Sequence, residues 1–335
     1  MAELTSEQIV EQSKNAIRQW GKQWVAHCKE QQEKLPQFMK QNLNDFRNSG
    51  VGKACLLIAN GYSFEQELET IKKYQGNVDI MVCDKTLGHA LDHGIIPTYA
   101  IVCDANVSYE RYMEKWKDKL SNTILIQNVC ANPKWSLNGN WKNKYFFIVK
   151  DAVQSENTYT PICECPNQIP AGTNVSNAMV VVLTQSDNTG RKVLFGYDKI
   201  LLIGFDYSWM PNGNYYAFDH LGNGKFNYMR HIYGKNLAGQ LCYTSNNLVF
   251  SAKWLDKYIN AFNLPVIQCS KSGIFNTKTL GVLSEQMQYN YKKEDSFLVR
   301  ELTSTKESLV RHLKEIDSKL ISIGKDHYFN YLITS

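Results

Sequence analysis

The 335-residue chain is 43% hydrophobic and 21% charged, a balance that reads as soluble and globular with ample length for a core. No run approaches the ~20 consecutive apolar residues of a membrane helix. A net charge of +5, spread along the chain, permits an anionic ligand but does not indicate nucleic acid. The polar start, MAELTSEQIVEQ, lacks the basic-then-apolar order of a secretory signal, so a cytoplasmic location is expected. Nine scattered cysteines, among them Cys55, Cys83, Cys103 and Cys269 in or beside apolar runs, are expected as reduced core thiols. Cys163 and Cys165 have no second Cys/His pair at zinc spacing, so no structural metal is expected.

Residues 5 to 33 place Ile9, Ile17, Trp20, Trp24 and Cys28 near one helical face, with Thr5 or Ser6 as N-cap. Pro36 ends that helix, and Phe38, Met39, Leu43 and Phe46 predict a shorter one before Asn48-Ser49-Gly50. From Ala54 the pattern is strand, loop, helix three times over: ACLLIA to EQELETIKKY, DIMVCD to KTLGHALDHG, and TYAIVCD to ANVSYERYMEKW. Three successive βα units imply a parallel, Rossmann-like sheet. Their strand ends carry Asn60-Gly61-Tyr62-Ser63, Asp84-Lys85-Thr86 and Asp104-Ala105-Asn106, which line the edge where such sheets bind nucleotides. Neither GxGxxG nor GxxxxGK[ST] is present, so dinucleotide and P-loop readings lose their usual support. Capping the following helix is the alternative role for Asp84 and Asp104.

Two further strand-like runs, Thr123 to Gln127 and Tyr145 to Val149, lead to a loop rich in Pro, Cys and Asn. AGTNVSNAMVVVL is then a small-residue turn into an apolar helix, whose first amides and hydroxyls suit a phosphate. Ile200 to Ile203 read as a strand buried on both faces, and Gly204 turns the chain into an aromatic loop bearing Asp206, Tyr207, Asn212, Tyr215, Tyr216 and Asp219. After LGNGKFNYMRHIYGKN come a helix from Asn246 to Phe262 and a strand from Leu264 to Cys269. Beyond residue 284, Leu302, Leu309, Ile316 and Ile323 stand at heptad spacing on a helix expected to dock on its own domain, with homo-oligomerisation as the alternative.

The run Gly204-x-Asp206-Tyr207, Asn212-Gly213, Tyr216-Ala217-Phe218-Asp219 resembles the bacterial sialyltransferases that use CMP-sugars. It also resembles the motility accessory factor family, which transfers nonulosonic sugars to flagellin and shares their core; an archaeal 6-hydroxymethylpterin pyrophosphokinase belongs to the same broad family. Asn60, Gly61 and Ser63 match the Gly-Asn-Gly-Pro-Ser-Leu loop that holds CMP, with Ala59, Tyr62 and Phe64 replacing its first Gly, Pro and Leu. The segment from Ala171 is similar to the families' Ser-Gly-x-x-x-x-Ala and Gly-Gly-Ser-Val stretches. Residues 231 to 236 are similar to His-Tyr-Ile-Gly-His-Ser-Lys-Asn, whose second His is the base; His231 aligns most directly with the first, and His220 is the other candidate.

The fold expected is α/β: a Rossmann-like, mainly parallel sheet, sialyltransferase-like and GT-A-type, flanked by helices. Helical additions would occupy 1–50 and 284–335, with the catalytic domain at 51–283. The resemblance implies transfer of a sugar, a nonulosonic acid first among candidates, from a CMP-activated donor to a protein or glycan hydroxyl. Asn60, Gly61, Ser63, Asp84, Asp104, Gly172, Thr173, Asn174 and Asp206 would hold the nucleotide, Tyr207 and Tyr216 would stabilise the leaving phosphate, and His231 would be the base. No cofactor is required in that scheme. The alternatives are a Mg²⁺-dependent transfer of diphosphate to a hydroxymethylpterin, with Asp84, Asp104 and Asp206 as metal ligands, and a nucleotide-binding protein without chemistry.

Overall fold

A computed structural model describes residues 6–150, 161–170, 174–185, 194–210, 214–220, 232–288, 306 and 308–314. Its centre is an eight-stranded sheet built from β1 (Ala54–Ile58), β2 (Asp79–Cys83), β3 (Tyr99–Val102), β4 (Ile124–Asn128), β5 (Asn143–Lys150), β6 (Gln168–Pro170), β7 (Lys199–Ile203) and β12 (Val266–Gln268). The order across the sheet is β12-β7-β1-β2-β3-β4-β5-β6, and each neighbouring pair is parallel. Parallel strands are covered on both faces, which is why β1 is apolar and buried at all five positions. The chain steps outward from β1 to β6 and then returns to lay β7 on the other flank of β1. The strand order reverses between those two strands, and ligands of open α/β sheets bind beyond the carboxyl ends at such a point.

Side chains alternate between two cores. Cys55 and Leu57 face the helices Val175–Leu183 and Asn246–Ala261, through Met179, Val182, Leu255 and Ile259. Leu56 and Ile58 face Ile71 of helix Leu68–Tyr74, Leu87 and Leu91 of helix Asp84–Asp92, and Leu283 and Met287 of helix Leu283–Gln288. The N-terminal helix, Ser6–Lys34, covers the far end of the sheet: Cys28 packs with Val129, Phe146, Ile148 and Cys163. Gln31, fully buried, donates to the Val129 carbonyl at 2.8 Å and accepts from Gln127 at 2.7 Å, so the helix is joined to the end of β4 by polar contacts as well as apolar ones. All nine cysteines are free thiols.

Several elements differ from expectation. The second N-terminal helix is a single turn, Pro36–Met39, followed by a 3₁₀ turn at Leu43–Phe46. The first crossover helix begins early, at Ser63–Gln66, and breaks at Glu67 before Leu68–Tyr74. Strand β6 arises in the Pro/Cys-rich stretch read as loop; it is the edge strand, where the missing N–H of Pro170 is tolerated. Four short strands lie outside the sheet in two antiparallel pairs: β8 (Asn214–Tyr216) with β9 (Asp219–His220), and the hairpin of β10 (Ile232–Lys235) with β11 (Leu241–Thr244). Residues 306 and 308–314 are helical as expected, but Leu309 is 60% exposed and does not dock there. Leu302, Ile316 and Ile323 lie outside the described residues. Among the described residues no helix is long and apolar enough to cross a membrane.

Candidate functional site

The carboxyl ends of β1, β2, β3, β4 and β7 open into one cleft of about 620 Å³. Asn60, Gly61, Asp84, Lys85, Asp104, Asn128, Tyr207 and Trp209 wall it from the strand ends, and Asn174 to Ser176 bring in the start of helix Val175–Leu183. Trp24 reaches it from the N-terminal helix and Tyr216 from β8. Six predicted site residues on separate segments (Asn60, Asp84, Asp104, Asn174, Tyr207 and Tyr216) therefore share one cavity.

Two predicted contacts do not reach it. The Ser63 amide donates to Asp206 Oδ2 at 2.7 Å, and the Ser63 hydroxyl donates to Oδ1 at 2.7 Å while accepting the Gly204 N–H at 2.8 Å. With both carboxylate oxygens engaged and 1% of the residue exposed, Asp206 ties the loop after β1 to the loop after β7 rather than meeting a ligand. Burial pushes its carboxyl up to about 6, against the two Ser63 bonds. The backbone around this tie has no room for side chains. A β-carbon on Gly61 would strike the Gly204 carbonyl and the Asp206 carboxylate, and one on Gly204, at φ +73°, would strike the Ala59 carbonyl.

Tyr207 lines the cleft, but its hydroxyl is engaged elsewhere. Its O–H donates to Asn177 Oδ1 at 2.5 Å, and Asn177 in turn donates to the Ser251 carbonyl at 3.1 Å. Its backbone sits at φ +50°, fixed by Thr244, whose hydroxyl donates to the Tyr207 carbonyl at 2.8 Å. The predicted phosphate bond from Tyr207 is thus replaced by a bond to the helix that starts at Asn174. That residue caps the helix, accepting the Asn177 N–H at 3.0 Å and leaving the first turn open to the cleft.

Tyr216 lines the cleft, and its partner is a residue with no role assigned from sequence. Lys85 Nζ donates to the Tyr216 hydroxyl at 3.3 Å and lies 4.7 Å from the ring centroid. Among the described residues Lys85 is the only cationic side chain on the cleft wall. Burial pulls its ammonium down, but Tyr216 and Asp84 outweigh that and hold it above the usual lysine range. Asp84, 3% exposed, has its carboxyl pushed up to about 6 by burial, with neighbouring Asp104 adding to the rise and the Lys85 amide and charge opposing it. Asp104 is exposed, its Oδ1 accepting the Asn106 N–H at 2.8 Å. The Asn60 carbonyl accepts the Ala217 N–H at 3.0 Å, which holds the Tyr216 segment over the loop after β1. Asn60 Oδ1 is buried without a hydrogen-bond partner among the described residues, an acceptor that a ligand donor at the wall would satisfy.

Gly172, Thr173 and His231 lie outside the described residues, as do Asn212 and Gly213. The backbone of His220 pairs with Asn214. Among the described residues no group of three or more His, Cys, Asp or Glu side chains is arranged to hold a metal ion. Trp24 and Trp209 were also missed as wall residues, because a periodic pattern says which face of an element is apolar and not which end overhangs a cavity.

A family model described as 6-hydroxymethylpterin diphosphokinase MptE-like matches residues 29–212, more than half of the chain and all of the strand ends around the cleft. The chain belongs to the MptE-like family. Among solved structures, this MptE-like chain is similar to the MAf glycosyltransferase from Magnetospirillum magneticum AMB-1, with a TM-score of 0.54 at 15% sequence identity. The match covers 82% of this chain but 42% of that protein, so the two share a fold over less than half of the larger molecule. No curated protein matches the chain.

Proposed function

We propose that the cleft binds a nucleotide-activated donor and transfers a sugar from it to an acceptor hydroxyl, with CMP as the leaving group. The observation that carries this reading is the Lys85–Tyr216 pair sharing one cleft with the open first turn of helix Val175–Leu183. A cation, a phenol and a row of backbone amides then line one space, the arrangement that stabilises negative charge gathering on a departing phosphate. Asn60 would hold the base or ribose, and the Tyr207 and Trp209 rings would line the sugar side. His231 would take the acceptor proton. In this reading leaving-group stabilisation falls to Tyr216 with Lys85 rather than to a Tyr207/Tyr216 pair, because the Tyr207 O–H is engaged by Asn177. The MptE-like match and the glycosyltransferase-like fold support transferase chemistry at this edge.

The second reading is diphosphate transfer from ATP to a hydroxymethylpterin-like alcohol, and the family match favours it specifically. Asp84 and Asp104, on adjacent strand ends, are the residues that would hold Mg²⁺, since that ion commonly binds one or two carboxylates and takes its remaining ligands from phosphates and water. The ion would neutralise phosphate charge. Asp206 drops out of this ligand set because Ser63 occupies both of its oxygens. Calorimetric titration with CMP, CDP, UDP, GDP and ATP separates the readings: a clear preference for cytidine is expected. Mg²⁺-dependent release of AMP from ATP in the presence of a hydroxymethylpterin would overturn the first in favour of the second.

A further inference from the structure

We infer that Phe218 is a positioning residue for Tyr216, docked against His93 on the same face of helix Asp84–Asp92 that carries Lys85. Its part in catalysis rests on the reading of Tyr216 and Lys85 as the leaving-group contacts; the docking itself does not.

Phe218 stands where its residue type is least expected. Tyr216 pairs with Asp219, so Ala217 and Phe218 are the two central residues of the β8–β9 turn. The second of them has φ +57°, a left-handed conformation that such turns ordinarily give to glycine or asparagine. A β-carbon makes that conformation costly, and it persists only where surrounding contacts over-determine it. Phe218 has such contacts. Its ring lies 4.5 Å from the His93 ring at an interplanar angle of 30°, lies 5.4 Å from the His89 ring, and meets the fully buried Phe64 edge-on at 5.4 Å. Its N–H donates to Glu65 Oε2 at 3.3 Å. Lys85, His89 and His93 recur every fourth residue, so they form one stripe along helix Asp84–Asp92 and its C-cap. Tyr216 sits over the first of the three and Phe218 over the other two, with Ala217 fully buried between them. Two rings from one turn are thus seated on one helix face. The helix fixes their spacing, and anchoring Phe218 at the far end of the stripe holds Tyr216 at Lys85. Without the Phe218 ring the strained turn loses that anchor, and the Lys85–Tyr216 bond loses its fixed distance.

The first test needs no ligand. In the full chain with lysine isotope-labelled at Cε, Lys85 gives the NMR resonance that Lys85→Met removes. Its Nζ lies 4.7 Å from the Tyr216 ring centroid, so shielding by the ring should shift that resonance upfield. Tyr216→Leu should abolish the shift, and so should Phe218→Ala. Phe218→Gly relieves the backbone conformation but removes the same ring, and is expected to match Phe218→Ala. His93→Ala should weaken the shift from the other side of the contact, and His93→Phe should restore it; this pair carries the test where a Phe218 variant fails to fold. CMP release from CMP-N-acetylneuraminate then reads the consequence for chemistry. Phe218→Ala should lower kcat about ten- to hundredfold with KM nearly unchanged, a smaller loss than that of Tyr216→Phe. It should cost nothing further in a Tyr216→Phe background, since both changes act through one contact. A Lys85 resonance unshifted in the parent chain, one that keeps its shift in Phe218→Ala or Phe218→Gly, or losses that multiply in the double variant would overturn the inference and leave the nucleotide reading standing. If the shift responds as expected while no cytidine nucleotide binds or is cleaved, Phe218 still positions Tyr216 and the nucleotide reading falls.

Discussion

Single side chains around the cleft divide into those that hold its shape and those that line its open space, and substitutions separate the two. Ser63→Ala leaves the buried Asp206 carboxylate with one donor and the Gly204 N–H without its acceptor; a loss of about 2–4 kcal/mol is expected, read from urea denaturation. Tyr207→Phe removes the donor to Asn177 Oδ1, so it should lower the free energy of unfolding by about 1–3 kcal/mol, with little change in turnover. Tyr216→Phe should do the reverse, slowing transfer about 10²–10³-fold while thermal stability holds. Asp84 adds a pH dependence. Its carboxyl is raised in the folded state, so its contribution to stability is fully present below the ordinary carboxylate range and is lost as pH rises through about 6. Stability should therefore fall between about pH 4 and pH 6, and Asp84→Asn should remove a share on the order of 2–3 kcal/mol of that slope, leaving the part due to Asp206. Denaturation curves across that range for the two proteins check it.

At the scale of elements, the cleft depends on loops packed backbone to backbone. Gly204→Ala should cost about 1–3 kcal/mol from its positive φ alone, and more from the clash with Ala59, and should loosen nucleotide binding as the loop after β1 moves. Much of this layer was readable in the sequence. β1, β2, β3 and β7 announce themselves as branched, apolar runs ending in polar clusters, and Asn60, Asp84 and Asp104 fall at the strand ends because the βα pattern puts them there. What escaped was pairing across long sequence separations. Nothing near Ser63 indicates that its hydroxyl belongs to Asp206, and nothing near Tyr207 indicates that its proton belongs to Asn177, because each bond is decided by where two distant loops meet. The hairpin β10–β11 was missed for a different reason: its larger apolar residues Tyr233 and Leu241 are exposed while Cys242 and Thr244 are the buried positions, so the apolar pattern does not mark the face that is covered.

At the scale of the whole molecule, the sheet is assembled from pairings of very different reach. β1 to β6 pair in sequence order, each with the next, while β1 also needs β7, with Ala54 opposite Lys199 and Ile58 opposite Ile203. During synthesis the first six strands can associate before β7 has left the ribosome, and in that interval β1 is a bare edge. Its sequence, ACLLI, carries no charge, proline or bulge to discourage a foreign strand. A fragment ending at residue 185 should accordingly self-associate, as seen by light scattering, and a separately supplied peptide spanning 194–210 should suppress that by taking the vacant flank. The same late pairing brings Gly204 and Asp206 to Ser63, so binding competence should emerge in the slowest refolding phase, after most secondary structure is in place. For a nascent chain, the strand that completes the cleft is also the one that ends its exposure to aggregation.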